Sequence, residues 1–181
     1  MIKDEPMDNT LRHLKELKVD ARFEKKKHYN AASRKEGYHY SIGVVIIMLS
    51  VFTGTISMND FLKEYHPSIC SKFILASLPV ILGILSGLQT FLNLQKQIEG
   101  HKSVADEYLS LLKDLKYYEA LFYDKKLGDE EIAKEVRQML IRFKQILKKA
   151  SLLSTNKSDY DKAKSSIKQG EEEYTKEELE L

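Results

Sequence analysis

Two stretches of this chain carry no formal charge. From Gly37 to Asn59, and again from Phe73 to Gln95, there is no Asp, Glu, Lys or Arg, while nearly every other ten-residue block holds several. A helix rises about 1.5 Å per residue and the hydrocarbon core of a bilayer is about 30 Å thick, so about 20 apolar residues are needed to cross it. Tyr40 to Met58 and Phe73 to Leu94 meet that length. The competing arrangement is a buried hairpin in a soluble bundle, but helices apolar on every face sit at the centre of proteins larger than 181 residues. The reading is therefore an all-α membrane protein, a two-span transmembrane helical hairpin with long cytoplasmic helices. Whole-chain averages conceal this: 43% hydrophobic and 31% charged residues would suit an ordinary soluble helical protein.

Charge asymmetry sets the expected orientation. Arg22, Lys25, Lys26, Lys27, Arg34 and Lys35 precede the first span, Lys96 and Lys102 follow the second, and the connection from Asn59 to Lys72 has only Lys63 and Lys72 as basic residues. The positive-inside bias then puts both ends in the cytoplasm, N-in and C-in. In a bacterium the host bilayer would be the inner membrane. The connection is polar and broken by His66-Pro67, which suits a hairpin turn. Tyr38 and Tyr40 at one end, with Phe61 and Tyr65 at the other, suit interfacial positions. The first apolar run begins near residue 40, after a charged stretch too long for a signal-peptide n-region, so the first span is expected to act as an uncleaved anchor.

The polar parts divide as follows. Residues 1–9 are expected to be flexible. Residues 10–127 form one two-span domain with spans at 40–58 and 73–94. From Thr10 to Glu36 there is no Gly or Pro and helix formers dominate, so a helix capped at Asn9 should run toward the first span. After the second span, Leu94, Ile98, His101, Ala105, Tyr108, Leu112, Leu115 and Phe122 follow steps of four and three, interrupted only by Glu119. That is coiled-coil spacing, and it predicts a continuation of the second span packed on the N-terminal helix, on other copies, or on both. Gly128-Asp129 marks a turn and a new N-cap. Residues 128–153 should form an amphipathic helix with Ile132, Val136, Met139, Leu140, Phe143 and Leu147 on one face. Residues 154–181 read as a polar tail, mobile or weakly helical.

Chemistry is sparse. The five histidines are far apart in sequence, none paired at the i, i+4 spacing of a metal-binding helix face, and most are expected to be solvated. The single cysteine, Cys70, excludes an intramolecular disulfide framework. The glycines make no phosphate-cradling pattern, so no catalytic residue, metal ligand or cofactor is expected. A formal charge of +2 gives no sign of direct nucleic-acid binding. Lys25, Lys26 and Lys27 could grip anionic headgroups, or an anionic ligand such as a nucleotide.

The spans themselves carry the more specific signal. Helices in lipid associate where small residues allow close approach and polar side chains pair. Gly83 and Gly87 make a GxxxG, with Ser86, Gln89, Thr90 and Asn93 beside it; Ser50, Thr53, Gly54 and Ser57 form a second stripe in the first span. In an antiparallel hairpin the first stripe lies in the outer half and the second in the inner half, so together they could line one path across the bilayer. The plainer reading is that both are packing surfaces alone, as small-residue motifs in transmembrane helices usually are. Pro79 frees the carbonyl of Leu75 and is a candidate hinge or a tolerated bend. Two helices cannot enclose a channel, so a pore requires several copies, and a homo-oligomer is expected.

A basic N-terminal helix, two spans with a short outer loop and a helix continuing inward resemble the SLATT family. The similarity is carried by ARFEKKKHYNAASRKEGYHY before the first span and by Ala105, Tyr108 and Leu111 within HKSVADEYLSLLKDL after the second, over about Leu11 to Phe122 and extending toward the following helix. That resemblance implies an effector of a bacterial conflict or antiphage system. It would be triggered by a partner encoded nearby, such as a nucleotide-signal synthase or a reverse transcriptase, and would perforate the inner membrane to cause growth arrest or abortive infection. Two alternatives stand beside it: a membrane-anchored coiled-coil scaffold or regulatory subunit without a pore, and a holin-like lysis protein.

Overall fold

The computed structural model describes residues 9–62, 69–124, 126, 128–171 and 173–174. Five helices follow one another: α1 (Asn9–Leu62), α2 (Ile69–Leu92), α3 (Leu94–Tyr123), α4 (Asp129–Ala150) and α5 (Lys157–Lys168). No β-strand occurs among the described residues. The expected turn at His66-Pro67 and the interfacial Tyr65 lie outside the described residues, as does the connection between 62 and 69. The chain divides into two compact units, one of residues 33–98 and one of 1–32 with 99–181.

The first unit holds both apolar blocks. Asn9 is already helical, and α1 runs through the break-free sequence to Leu62, so the predicted N-terminal helix and first span are one element. Of the best apolar windows in α1 and in the α2–α3 pair, 0% and 6% respectively are buried. Helices this apolar and this exposed fit a lipid surround and not the centre of a soluble core. Two contacts give their pairing: the backbone at Gly43 faces Gln89, and the Lys35 ammonium donates to Gln97 Oε1 at 2.7 Å. Going back eight residues on one side matches going forward eight on the other, which is an antiparallel hairpin register.

The second span does not pass smoothly into α3. α2 is helical through Pro79, and the interruption falls at Asn93, whose φ of 43° is the left-handed conformation that Asn tolerates better than most residues. Gln97 repairs the gap, donating its side-chain amide to the Leu92 carbonyl at 2.7 Å while Lys35 holds its oxygen. Helix geometry is thus kept at the proline and lost at the asparagine.

The second unit is a bundle in which the heptad residues of α3 find their partners within the chain. Leu11, Leu14, Leu17 and Ala21 of α1, Val104, Tyr108, Leu111 and Leu115 of α3, and Ile146 and Ala150 of α4 form one buried cluster. α4 is antiparallel to α3: Arg142 pairs with Asp114 and Lys149 with Glu107, seven residues on along one helix and seven back along the other. The face assignment for α4 needs correcting. Ile132, Ile146 and Ala150 are buried and Val136, Met139 and Phe143 half-buried, whereas Leu140 and Leu147 are 40% and 44% exposed. Steps of four and three from Ile132 select Ile146, one position before Leu147. Glu131 accepts the Gly128 N–H at 3.1 Å, so Gly128 is the N-cap and Asp129 the first helical residue.

The polar segment after Ser154 is more ordered than its composition suggests. Asn156 caps α5 by accepting the Asp159 N–H at 2.9 Å, and the Asp159 carboxylate accepts the Asn156 N–H in return. Ala163 and Asp159 are buried, Phe23 and Tyr160 stack edge-on at 4.9 Å, and Asn30 donates to the Asp159 carbonyl. A short cap-stabilised helix lies on α1 where the sequence reads as a tail.

Candidate functional site

The small-residue stripes face outward. Among the first stripe, Ser50, Gly54 and Ser57 are exposed and Thr53 half-buried; among the second, Gly83, Ser86, Gly87, Thr90 and Asn93 are exposed and Gln89 half-buried. A methyl group placed on Gly54, Gly83 or Gly87 would touch nothing within 4 Å among the described residues, so none of these packs the GxxxG surface. The hairpin register puts Ser50 level with residue 82, so the two stripes occupy different levels along the hairpin. Three of their hydroxyls are satisfied locally: Ser50 donates to the Ile46 carbonyl, Thr53 to Leu49 and Thr90 to Ser86, each one turn back. Such bonds let a hydroxyl face lipid or a neighbouring helix without water.

The lysine run is largely committed within the chain. Lys25 is buried, Lys26 pairs with Glu171 at 2.6 Å and Lys27 with Glu24 at 2.6 Å.

Sequence reasoning placed His101 on the α3 seam but missed His28 and the contact between the two. His13 is exposed, as expected, and His66 lies outside the described residues, but His28 and His101 are buried with their Nδ1 atoms 2.9 Å apart. The signal was in the periodicity. His28 follows Ala21 by seven residues and His101 precedes Tyr108 by seven, so each sits on a buried seam. An aromatic column continues from them: His101 to His28 at 5.1 Å, His28 to Tyr108 at 6.2 Å and Tyr108 to Phe143 at 5.6 Å. One Nδ1 must donate and the other accept, so the pair holds together only while at least one ring is neutral. Burial, reinforced by the neighbouring Lys27 charge and opposed by Asp159, pushes the His28 pKa down to about 4. The Glu24 carboxylate is 3.8 Å from His28 Nε2. Burial also raises the Tyr108 phenol above its ordinary value, and its hydroxyl has no hydrogen-bond partner among the described residues.

Among the described residues, no group of three or more His, Cys, Asp or Glu is placed to hold a metal. The arrangement offers a proton-sensitive core contact and two outward small-residue faces. Fold and site together define an all-α protein of the two-span class, with a helical bundle attached to a hairpin long and apolar enough to cross a membrane. The chain belongs to the SMODS and SLOG-associating 2TM effector domain family 4, a SLATT family, whose model matches residues 13–180. That match runs on through α4 and α5. No curated protein and no solved structure matches the chain. Family membership makes it a membrane effector of conflict systems.

Proposed function

We propose that this effector assembles from several copies in the bacterial inner membrane, N-in and C-in, and opens a permeable path that causes growth arrest or abortive infection. A partner protein or a nucleotide-signal synthase encoded nearby would supply the trigger. The observation that carries this reading is the emptiness around Gly54, Gly83 and Gly87. In lipid, close approach at small residues is a principal source of helix association, and these faces have no partner helix among the described residues. The α3 seam, by contrast, is filled by α1 and α4 of the same chain, which leaves the spans as the better surface for assembly. Pro79 within α2 and the Asn93 break between α2 and α3 are the places where the second span could bend.

One observation favours a second reading, that of an anchored scaffold or regulatory subunit without a pore: the back-bonded Ser50, Thr53 and Thr90 need no water. Membrane depolarisation on induced expression separates the two. The wild type should depolarise cells and Gly83→Leu/Gly87→Leu, at equal membrane abundance, should not. An intact potential with the wild type would favour the scaffold.

A further inference from the structure

The basic face of α1 is covered by the segment that follows α5. Lys26 Nζ donates to the Glu171 carboxylate at 2.6 Å, Arg22 donates to Glu173 at 3.4 Å, and the Lys116 ammonium of α3 stands 5.7 Å over the Tyr174 ring. Between the two sides lies a groove of about 350 Å³, walled by Lys18, Val19, Arg22, Leu112 and Lys116 and, from the covering segment, by Glu173 and Tyr174. Lys18 is neutralised by Glu119, which leaves Arg22, Lys26 and Lys116 facing the covering segment.

The two sides of this contact are not alike. The two α1 cations are held in place, with Arg22 and Lys26 side chains 21% and 22% exposed, while Glu171 and Glu173 are 47% and 71% exposed. Exposed ion pairs are weak and are screened by salt, so the acidic segment is the part that can leave. A phosphoryl group carries more charge than a carboxylate and matches the guanidinium fork in two bonds.

We propose that the basic α1–α3 face of Arg22, Lys26 and Lys116 is a binding site for a phosphate-bearing anion, and that Glu171, Glu173 and Tyr174 cover it as a displaceable internal substitute. The Lys26 ammonium, helped by a hydrogen bond from Ser166, holds the Glu171 carboxyl below its ordinary range, as an anion in such a site would be held. The inference does not depend on whether the spans open a path. Soluble phosphates and phospholipid headgroups share this chemistry, and the test separates them.

The full chain would be placed in phosphatidylcholine nanodiscs and the exchange of backbone amides 170–173 followed by mass spectrometry. The Glu171 N–H is bonded to the Ser166 carbonyl and the Glu173 N–H to the Gly170 carbonyl, so release of the segment accelerates both. One arm titrates inorganic pyrophosphate; the other raises the phosphatidylserine fraction of the disc. Faster exchange with pyrophosphate assigns a soluble ligand, and faster exchange with phosphatidylserine assigns a headgroup. In the responding arm, Glu171→Gln/Glu173→Gln should lower the half-maximal probe level about tenfold, the combined effect of losing two exposed ion pairs. Arg22→Gln/Lys26→Gln should abolish the response. No change with either probe overturns the proposal, as does a half-maximal level that the Glu171→Gln/Glu173→Gln protein leaves unmoved.

Discussion

Acidification should loosen the bundle through His28, by an amount the structure allows one to work out. Its ring is 2% exposed, sits 2.9 Å from His101 and beside Lys27, and has a pKa of about 4 against an ordinary 6.5. Between these values the unfolded chain takes up a proton that the folded chain refuses. Stability therefore falls as pH falls through that window, and the loss is complete once the folded pKa is reached. At about 1.4 kcal/mol per pH unit the window amounts to about 3 kcal/mol. For a chain of this length that corresponds to a drop of about 6–12 °C in Tm. Thermal melts followed by far-UV circular dichroism in detergent, from pH 7 to pH 4, would measure it in the wild type and in His28→Gln. Carboxylates titrate in both proteins, so the quantity to read is the difference. The wild type should lose about 6–12 °C more than the variant; parallel curves would refute the reasoning.

Three further outcomes follow from the packing. Tyr108→Phe removes a buried hydroxyl without a partner and should raise stability by about 1 kcal/mol, seen as a higher Tm. Asn93→Ala must hold a left-handed backbone that Ala disfavours and should lower stability by about 1–2 kcal/mol, while Asn93→Gly should be neutral or stabilising in the same melts. Ile146→Ala should cost about 2–5 kcal/mol in denaturant titration because Ile146 is buried in the core, whereas Leu147→Ala, on the exposed side of α4, should cost about 1 kcal/mol or less.

The hairpin was legible because two uncharged blocks are a whole-segment property that no local detail can reverse. The α3 seam was legible for a similar reason, since seven buried residues repeat the same spacing. What escaped depends on single side chains or on partners far away in sequence. In α4, Leu147 and Ile146 are equally apolar, and only the register against Asp114 and Glu107 decides which is buried. The His28–His101 contact joins residues 73 apart. His101 stands in the seam read from the sequence, but His28 alone looks like a polar residue on a helix, and their meeting shows only when α1 and α3 are laid antiparallel. α5 was hidden because its order comes from the Asn156–Asp159 cap and from Ala163, in a segment otherwise rich in Lys and Ser. The break at Asn93 was masked by Pro79, the residue that sequence rules mark first. The stripes were identified from their residue types, and the structure adds that no described residue packs against Gly83 and Gly87.

The central claim is that these stripes line a polar path between copies. It is tested most directly by single cysteines at Ser50, Ser57, Ser86 and Asn93 in a Cys70→Ser background, treated with a membrane-impermeant thiol reagent in cells that the protein is depolarising. Val80 and Phe91, 62% and 85% exposed on the apolar surface, serve as lipid-facing controls. The account predicts labelling at the stripe positions and none at the controls. Labelling at none of the four, or equally at Val80 and Phe91, would contradict it.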